Sequence, residues 1–547
     1  MTPVADKYED ANMSTPDTNE RIVGYRTAAE DFLGTAKEDL SASESVYISR
    51  LVASLADAGS QTILRYRNED VTANELLASI YRYARALATL GIGRGSLVAL
   101  FAPNCPDAIA VRYAANLIAS AAVYLPLPAT SERRAELVAQ MAPDLLVVFP
   151  QTTGLVPAGT SARIASVGVS VAGASVRLDN IASEQGSEAF PCAARPDDLA
   201  IVLSSGGTMG VPKGSRRNFM AYSAMVNVPS SPDRRQLVNG HFAYLSQVLV
   251  DVTLLGGGCV VLRDAYDAAD TLATIESERI TDLFLVEPQL FEVMDHPDVS
   301  RRDLSSLRTL NHVGASAPPT LRIRAQERLG PVIAHTYGAS EEGLVSMLTP
   351  AEHDPLRRDR FTCAGRILPG VEVRLRRENG SLAEIGEVGS IEVRSPAMAQ
   401  GYRNRPELEA ENFRDGWYRP RDLGRIDDEG YLHILGRAAD VRWIAGAMLS
   451  PTLVEETLCQ MPAVRVAVVV AHNEAGTWIG AVVPWEGVSI DPQACLTTIA
   501  EEHGPEAAAP FVVIAMRNIP VTEQGKPDRE AIKQLARGHA LAHRWNK

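Results

Sequence analysis

Residues Ser204 to Gly214 read SSGGTMGVPKG, with four glycines, hydroxyl side chains and one lysine directly after a short apolar run. Glycine lets successive backbone N–H groups turn toward one anion, hydroxyls add donors, and Lys213 adds a point charge. The composition therefore suits a phosphate cradle, although a flexible glycine-rich turn would have the same composition. It is not a Walker loop, which requires GxxxxGK[ST]: here Pro212 stands between Gly210 and Lys213, and Gly214 follows the lysine.

Three further places carry side chains that a magnesium nucleotide needs. Tyr337-Gly338-Ala339-Ser340-Glu341 offers an aromatic face, a hydroxyl and a carboxylate able to ligate Mg²⁺, or else a strand-end turn with a solvated glutamate pair. The run GWYRPRD from Gly416 to Asp422 leads on to Gly436-Arg437. Its aspartate can accept both hydroxyls of a ribose and the arginine can pair with phosphate; as a salt bridge the two would need no ligand. Gly525-Lys526-Pro527 lies in a polar turn near the carboxyl end, where a lysine serves solubility as readily as chemistry.

The elements that must position these groups are legible in the hydrophobic pattern. Thr72 and Glu75 form a capping box, Leu76, Ile80, Tyr83, Leu87 and Leu90 recur at helical spacing, and Gly91 ends that helix. A strand follows at Ser96 to Ala102, a helix at Asp107 to Ala122 and a strand at 123–127. The alternation returns with strands at 144–150, 198–204, 258–264, 282–288 and 332–338, which predicts an α/β core containing parallel sheet. From Gly370 the texture changes to short alternating strands, VEVRLRR, GSIEVRS and GYLHILGR, of antiparallel character. Beyond Arg437, VRVAVVVAH, WIGAVVPW and two helical segments predict a small α+β unit.

The expected organisation is a loose polar tail over 1–20, a large domain over 21–435, a hinge at 436–440 and a small domain over 441–547. A chain of 547 residues with 46% apolar composition can fill at least two such units. With 53 Lys+Arg against 67 Asp+Glu, the net charge of −14 and the lack of a basic block speak against nucleic acid as a partner. The longest apolar stretch, 114–128, falls short of the roughly 20 residues a bilayer span needs, so no membrane crossing is expected. The acidic amino terminus lacks the pattern of a secretory signal and suggests a cytoplasmic protein. Six scattered cysteines without a CxxC pair fit a reducing compartment.

Taken in order, these motifs resemble the adenylate-forming superfamily of acyl-CoA synthetases, luciferases, peptide-synthetase adenylation domains and amide bond synthetases. The resemblance runs from about Val46 to Leu535: Ser205 to Gly214 stands where the family has [ST]SGTTGxPKG, Tyr337 to Glu341 matches YGxTE, Gly416 to Asp422 matches GWxxTGD, Gly436-Arg437 matches the GR before the hinge, and Gln524 to Arg529 matches sGKxxR. It implies a large α/β domain with mixed, largely parallel sheets and a β-rich subdomain, followed by a small mobile α+β domain. ATP and Mg²⁺ would be the cofactors. Ser205, Gly206, Gly207, Thr208 and Lys213 would hold phosphates, and Thr208 with Glu341 would hold the metal. Ala315, Ser316, Ala317, Tyr337 and Ser340 would contact adenosine together with Asp422 on the ribose and Arg437. Lys526 would be catalytic, bridging the acid's carboxylate and the α-phosphate.

An acid pocket is expected from His241, Tyr244, His312 and Gly338. Amino-acid-activating relatives carry an aspartate near Tyr244, so an aromatic or heteroaromatic acid is expected instead, its ring stacking on flat side chains. Phe242 and Tyr244 are equally able to fill the core, and Asp251 belongs to the pocket wall or caps a helix. Departures from the family pattern are Gly206 and Met209 in the phosphate loop, Pro420 and Arg421 before Asp422, Ala439 at the hinge, and Trp443 with Ala445-Gly446-Ala447 where CoA ligases line a pantetheine tunnel. These departures favour a free amine as the acyl acceptor, giving an amide. The alternatives are CoA or a carrier-protein thiol, or a nucleotide sensor without turnover; a luciferase-like oxygenase would share the same motifs.

Overall fold

The computed structural model describes residues 46–545, apart from 128–129, 172–175, 205–212, 314–317, 355, 445 and 473–475. The tail expected over 1–20 lies outside the described residues, as do Ser205, Gly206, Gly207, Thr208, Ala315, Ser316 and Ala317.

The capping box forms as its spacing dictates. The Glu75 N–H donates to Thr72 Oγ1 at 3.3 Å, the Thr72 N–H donates to Glu75 Oε2 at 2.8 Å, and helix Ala73–Thr89 buries Leu76, Ile80, Tyr83 and Leu87. The next helix, Pro106–Leu117, stops five residues before the expected end. Ala119 turns into the left-handed region at φ 63°, and the Asn116 amide donates to Ser120 O (3.0 Å) and Ala200 O (2.8 Å). The chain is thus released into strand Ala121–Tyr124, parallel to Leu97–Phe101.

Among the described residues, two large sheets carry the α/β core. In one the order is Val176–Arg177, Arg163–Ser166, Leu145–Val148, Leu97–Phe101, Ala121–Tyr124, Leu199–Ser204, Gly214–Asn218, parallel except for the last pair. In the other, parallel strands Thr62–Tyr66, Cys259–Leu262, Arg235–Val238, Asp282–Leu285, Thr309–Val313 and Ile333–Ala339 are flanked by antiparallel edges on both sides. The region after Gly370 is antiparallel as expected: Asp422–Ile426 lies between Gly389–Arg394 and Leu432–Arg437. Parallel sheets bind ligands outside the carboxyl ends of their strands. The residues following Val238, Leu285 and Tyr337 in the second sheet, and Ser204 in the first, all occupy such ends.

After Asp440 the chain forms hairpin Arg442–Ile444 with Ala447–Leu449, and a sheet of Val464–His472, Thr477–Pro484 and Phe511–Ala515. Its helices are Pro451–Cys459, Pro492–His503, Pro505–Ala508 and Arg529–Trp545, two more than the hydrophobic pattern indicates, because the three starting at Pro451, Pro492 and Pro505 open on proline and are short. Val454, Leu458 and Val466 share one apolar cluster with Leu310, Leu321 and Leu329. Asp251 belongs to neither a pocket nor a cap. It is fully buried and accepts from Arg112 Nη1 (2.8 Å), the Tyr113 phenol (2.6 Å) and the Tyr222 phenol (2.6 Å), an ion pair enclosed by hydroxyls. No helix among the described residues is long and apolar enough to cross a membrane.

Candidate active site

A cleft of about 1520 Å³ gathers Ser204, Lys213, His241, Tyr244, Tyr337, Gly338, Ser340, Glu341, Asp422, Arg437 and Lys526, segments more than 300 residues apart in sequence. Strand Ile333–Ala339 delivers the first group. Gly338 has to be glycine, since a Cβ there would stand 2.2 Å from the carbonyl oxygen of Gly343 on the neighbouring strand. A register shift between Tyr337 and Gly338 accompanies that close approach.

Hairpin pairing sets the next pair of groups. Asp422 and Arg437 are cross-strand partners, with Arg437 Nε 3.2 Å from Asp422 Oδ1. The other carboxylate oxygen, Oδ2, accepts from the Tyr337 phenol at 2.7 Å. Burial raises the Asp422 pKa above the usual carboxylate range, opposed by the Arg437 charge and the Tyr337 hydrogen bond. The same burial, with the adjacent Asp422, pushes the Tyr337 phenol well up.

Glu341 is held on both oxygens: Tyr402 donates to Oε1 at 2.9 Å and Ser340 to Oε2 at 2.8 Å. Behind it the fully buried Arg217 donates to Ser340 O (2.6 Å), Glu341 O (3.2 Å) and Ala397 O (2.6 Å), fixing the strand end from beneath. Lys213 lies 5.4 Å from the centre of the Tyr402 ring. Glu342 is also fully buried, and neither carboxylate oxygen has a hydrogen-bond partner among the described residues. Burial, reinforced by Glu341 and Asp422, pushes its pKa well above the usual value and keeps it protonated.

Lys526 comes from a tight turn. The Gly525 N–H donates to Thr522 O and the Thr522 N–H to Lys526 O, each at 2.8 Å, and Gly525 takes φ 78°. Asp528 then caps the last helix, accepting from the N–H groups of Glu530 (3.1 Å) and Ala531 (3.0 Å), and Arg529 Nη1 donates to Asp440 at 3.3 Å. Burial lowers the Lys526 pKa from its ordinary value, the Arg437 cation lowers it further and Glu341 opposes both.

On the remaining wall, His241 Nδ1 accepts from the Ala243 N–H at 3.1 Å, and burial pushes its pKa down to about 4, leaving a neutral imidazole. Tyr244 sits at a break in the helical turn Phe242–Ser246, with φ −121° and ψ −143°, and its ring meets His241 edge-on at 6.4 Å. Phe242 is fully buried against Tyr124 and fills the core. His312 is not among the residues lining the cleft. It stacks at 5.1 Å on His335, which does line it, with the two Nδ1 atoms 2.9 Å apart. Parallel-strand pairing sets this order, because His312 and His335 are register partners. Tyr402, Arg217, His335 and Glu342 belong to no motif and were missed. The adjacent carboxylates Glu341 and Glu342 were visible in sequence, but not that one is paired and the other is not.

The AMP-binding enzyme family model matches residues 52–403, and this chain belongs to that family. It is 29% identical over 525 residues to the medium/long-chain-fatty-acid–CoA ligase FadD8 of Mycobacterium tuberculosis, covering 88% of this chain and 89% of that protein. It is 28% identical over 494 residues to the indoleacetate–CoA ligase of Aromatoleum aromaticum, covering 87% and 95%. Among solved structures it is similar to the amide bond synthetase McbA from Marinactinospora thermotolerans, with a TM-score of 0.79 and 30% identity over 89% of this chain and 99% of that one. The protein is an adenylate-forming, ATP-dependent carboxylic acid ligase.

Proposed function

We propose that the enzyme activates an aromatic or heteroaromatic carboxylic acid and transfers the acyl group to an amine. What supports the amine is the likeness to an amide bond synthetase across 89% of this chain. Trp443 adds to it. It stands 62% exposed on the hairpin after Asp440, where the superfamily's CoA ligases place their pantetheine tunnel.

In the first step a carboxylate oxygen of the acid attacks the α-phosphorus of ATP, and the bond to pyrophosphate breaks. In the second the amine nitrogen attacks the acyl carbon, the bond to AMP breaks, and the nitrogen gives up its proton. Negative charge grows on the phosphoryl oxygens during the first step, and the Lys526 ammonium neutralises it. Asp422 accepts the ribose hydroxyls, Tyr337 presents its ring to adenine, and Arg437 holds Asp422 in place. Ser205, Gly206, Gly207, Thr208 and Lys213 hold phosphate, and Ala315, Ser316 and Ala317 flank the base. His241, Tyr244 and Gly338 enclose the acid, with His335 in the place expected of His312.

The Glu341 carboxylate fits Mg²⁺: each oxygen already accepts one hydrogen bond and retains a lone pair, and a nucleotide-bound Mg²⁺ needs only one or two protein ligands. Bound there with Thr208, the ion would screen the phosphate charge. The small domain from Val441 onward carries the lysine, and Ala439 is its hinge.

A CoA acceptor is the second reading, favoured by the CoA ligases to which the chain is 28–29% identical. Incubation with ATP, an aryl acid and either a simple amine or CoA separates the two. An amide product is expected; a thioester formed in preference would replace the amine with CoA.

A further inference from the structure

Two histidines, His241 and His335, line the cleft on the wall assigned to the acid. Both rings are neutral, since burial pushes His241 down to about 4 and His335 well below its ordinary value. A neutral imidazole carries one hydrogen, and the hydrogen bond made by one ring nitrogen decides what the other nitrogen offers.

At His241 the backbone makes that decision. Its Nδ1 accepts from the Ala243 N–H at 3.1 Å, so the hydrogen sits on Nε2. Nε2 is buried and has no hydrogen-bond partner among the described residues. An unpaired buried N–H is a rare state in a folded protein, and this one belongs to a residue of the cleft wall.

At His335 the decision falls to a residue outside the cleft. His312, its register partner, lies with its Nδ1 2.9 Å from His335 Nδ1, a hydrogen-bond distance with room for one hydrogen between the two atoms. His312 is fully buried and neutral, and its Nε2 has no partner among the described residues. If His335 held the shared hydrogen, His312 would carry its own on Nε2 as an orphaned buried donor. If His312 holds it, His312 Nε2 is a bare acceptor and His335 keeps its hydrogen on Nε2, the nitrogen left for the cleft. Orphaned buried donors are rarer than under-used acceptors, which selects the second arrangement.

We infer that His241 and His335 both meet the acid as N–H donors, that His312 is the positioning residue setting the His335 tautomer, and that the preferred acid is heteroaromatic with hydrogen-bond acceptors at its ring edge. This rests on the reading of the wall as an aromatic-acid site. An acid with a ring N–H would meet donors with a donor and be disfavoured.

The test is ATP–pyrophosphate exchange by the full-length enzyme with naphthalene-2-carboxylic acid, with the quinoline- and isoquinolinecarboxylic acids that move one nitrogen around the same frame, with indolecarboxylic acids, and with octanoic acid. Nitrogen at two positions should raise kcat/KM over the naphthalene parent by about ten- to a hundredfold, the effect of pairing one buried donor. One preference should vanish in His241→Phe and the other in His335→Phe. His312→Leu should weaken only the preference that depends on His335, and His312→Asn, whose amide can stand in for the Nδ1–H, should restore it. Aza acids no better than the parent, or indole acids preferred, overturn the donor assignment, and that comparison is made on the wild type whether or not a variant folds. A His335-dependent preference indifferent to His312→Leu overturns the positioning role. Exchange with octanoic acid and with none of the aromatic acids overturns the reading of the wall itself, and the inference with it.

Discussion

Where strand Ile333–Ala339 meets hairpin Asp422–Arg437 the polar groups of the cleft satisfy one another: Tyr337 and Arg437 hold Asp422, and Tyr402 and Ser340 hold Glu341. On the side where helix Glu287–Asp295 meets helix Pro451–Cys459, two carboxyls, Glu287 and Glu455, are buried near each other. Glu455 accepts only the Val469 N–H at 2.8 Å, and burial pushes its pKa up to about 7; burial and the Glu455 charge raise Glu287 well above its ordinary value. The difference teaches where rigidity is built in and where it is conditional. A prepaired set of strand-end groups is preorganised for a fixed nucleotide. Two buried carboxyls whose pKa values are raised by burial make the stability of their surroundings depend on pH.

The comparison breaks most completely at the lysine. Lys526→Ala is expected to lower acid-dependent pyrophosphate exchange by about 10²- to 10³-fold, the loss typical of one preorganised charge-stabilising donor. The melting temperature should be unchanged, because Lys526 is partly exposed and belongs to no apolar cluster. A variant with unchanged exchange would make the conditional side of the cleft irrelevant to chemistry.

On the preorganised side, Asp422→Ala should raise the KM for ATP by about 10- to 100-fold, the equivalent of one or two charged hydrogen bonds. Tyr337→Phe should cost much less, since the phenol acts on the ribose only through Asp422. Equal effects of the two substitutions in steady-state kinetics would show that the phenol touches the nucleotide directly.

How much of this was legible in the sequence follows the same division. The gathering of Tyr337, Glu341, Asp422 and Arg437 in one cleft was legible, because strand ends and hairpin register bring motif residues together by short-range rules: Asp422 opposite Arg437, and Gly338 under Gly343. The helix over 73–89 was equally clear, its cap and its apolar row both local. What failed depends on how strands are ordered across a sheet, which only long-range packing sets. His312 and His335 are register partners stacked on one face, one strand apart, and of the two only His335 lines the cleft. Asp251 was left open between the pocket wall and a helix cap because nothing nearby in sequence announces Arg112, 139 residues away. Glu287 and Glu455 lie 168 residues apart by number and show no pattern at all.

The conditional side should reveal itself in pH dependence. A carboxyl whose folded pKa is raised contributes stability that is complete below its unfolded pKa, near 4.5 for glutamate, and lost as pH rises through the folded value of about 7. Buried His241, pushed down to about 4, acts in the opposite sense, its contribution falling as pH drops below about 6.5. Glu455→Gln keeps an oxygen for the Val469 N–H and removes the titration. Between pH 5 and pH 8 the wild type should lose on the order of 1–3 kcal/mol relative to this variant, read as converging and then crossing denaturation midpoints. Parallel curves for the two proteins would show that the carboxyl pair does not govern that junction.

The smallest expected effect tests whether the preorganised side is itself free of strain. Arg421, next to Asp422, takes φ 65°, in the left-handed region that favours glycine, and its side chain is half exposed in an ion pair with Glu411. A non-glycine residue there is destabilised by roughly 1–2 kcal/mol, part of which a glycine returns through the greater freedom it gives the unfolded chain. The exposed ion pair contributes at most about 1 kcal/mol in the other direction. Arg421→Gly should therefore leave stability within about 1 kcal/mol of the wild type, with the KM for ATP unchanged. Thermal denaturation and ATP saturation curves measure both. A large rise in KM would mean that the arginine cation, and not the backbone turn, is what this position gives to the nucleotide.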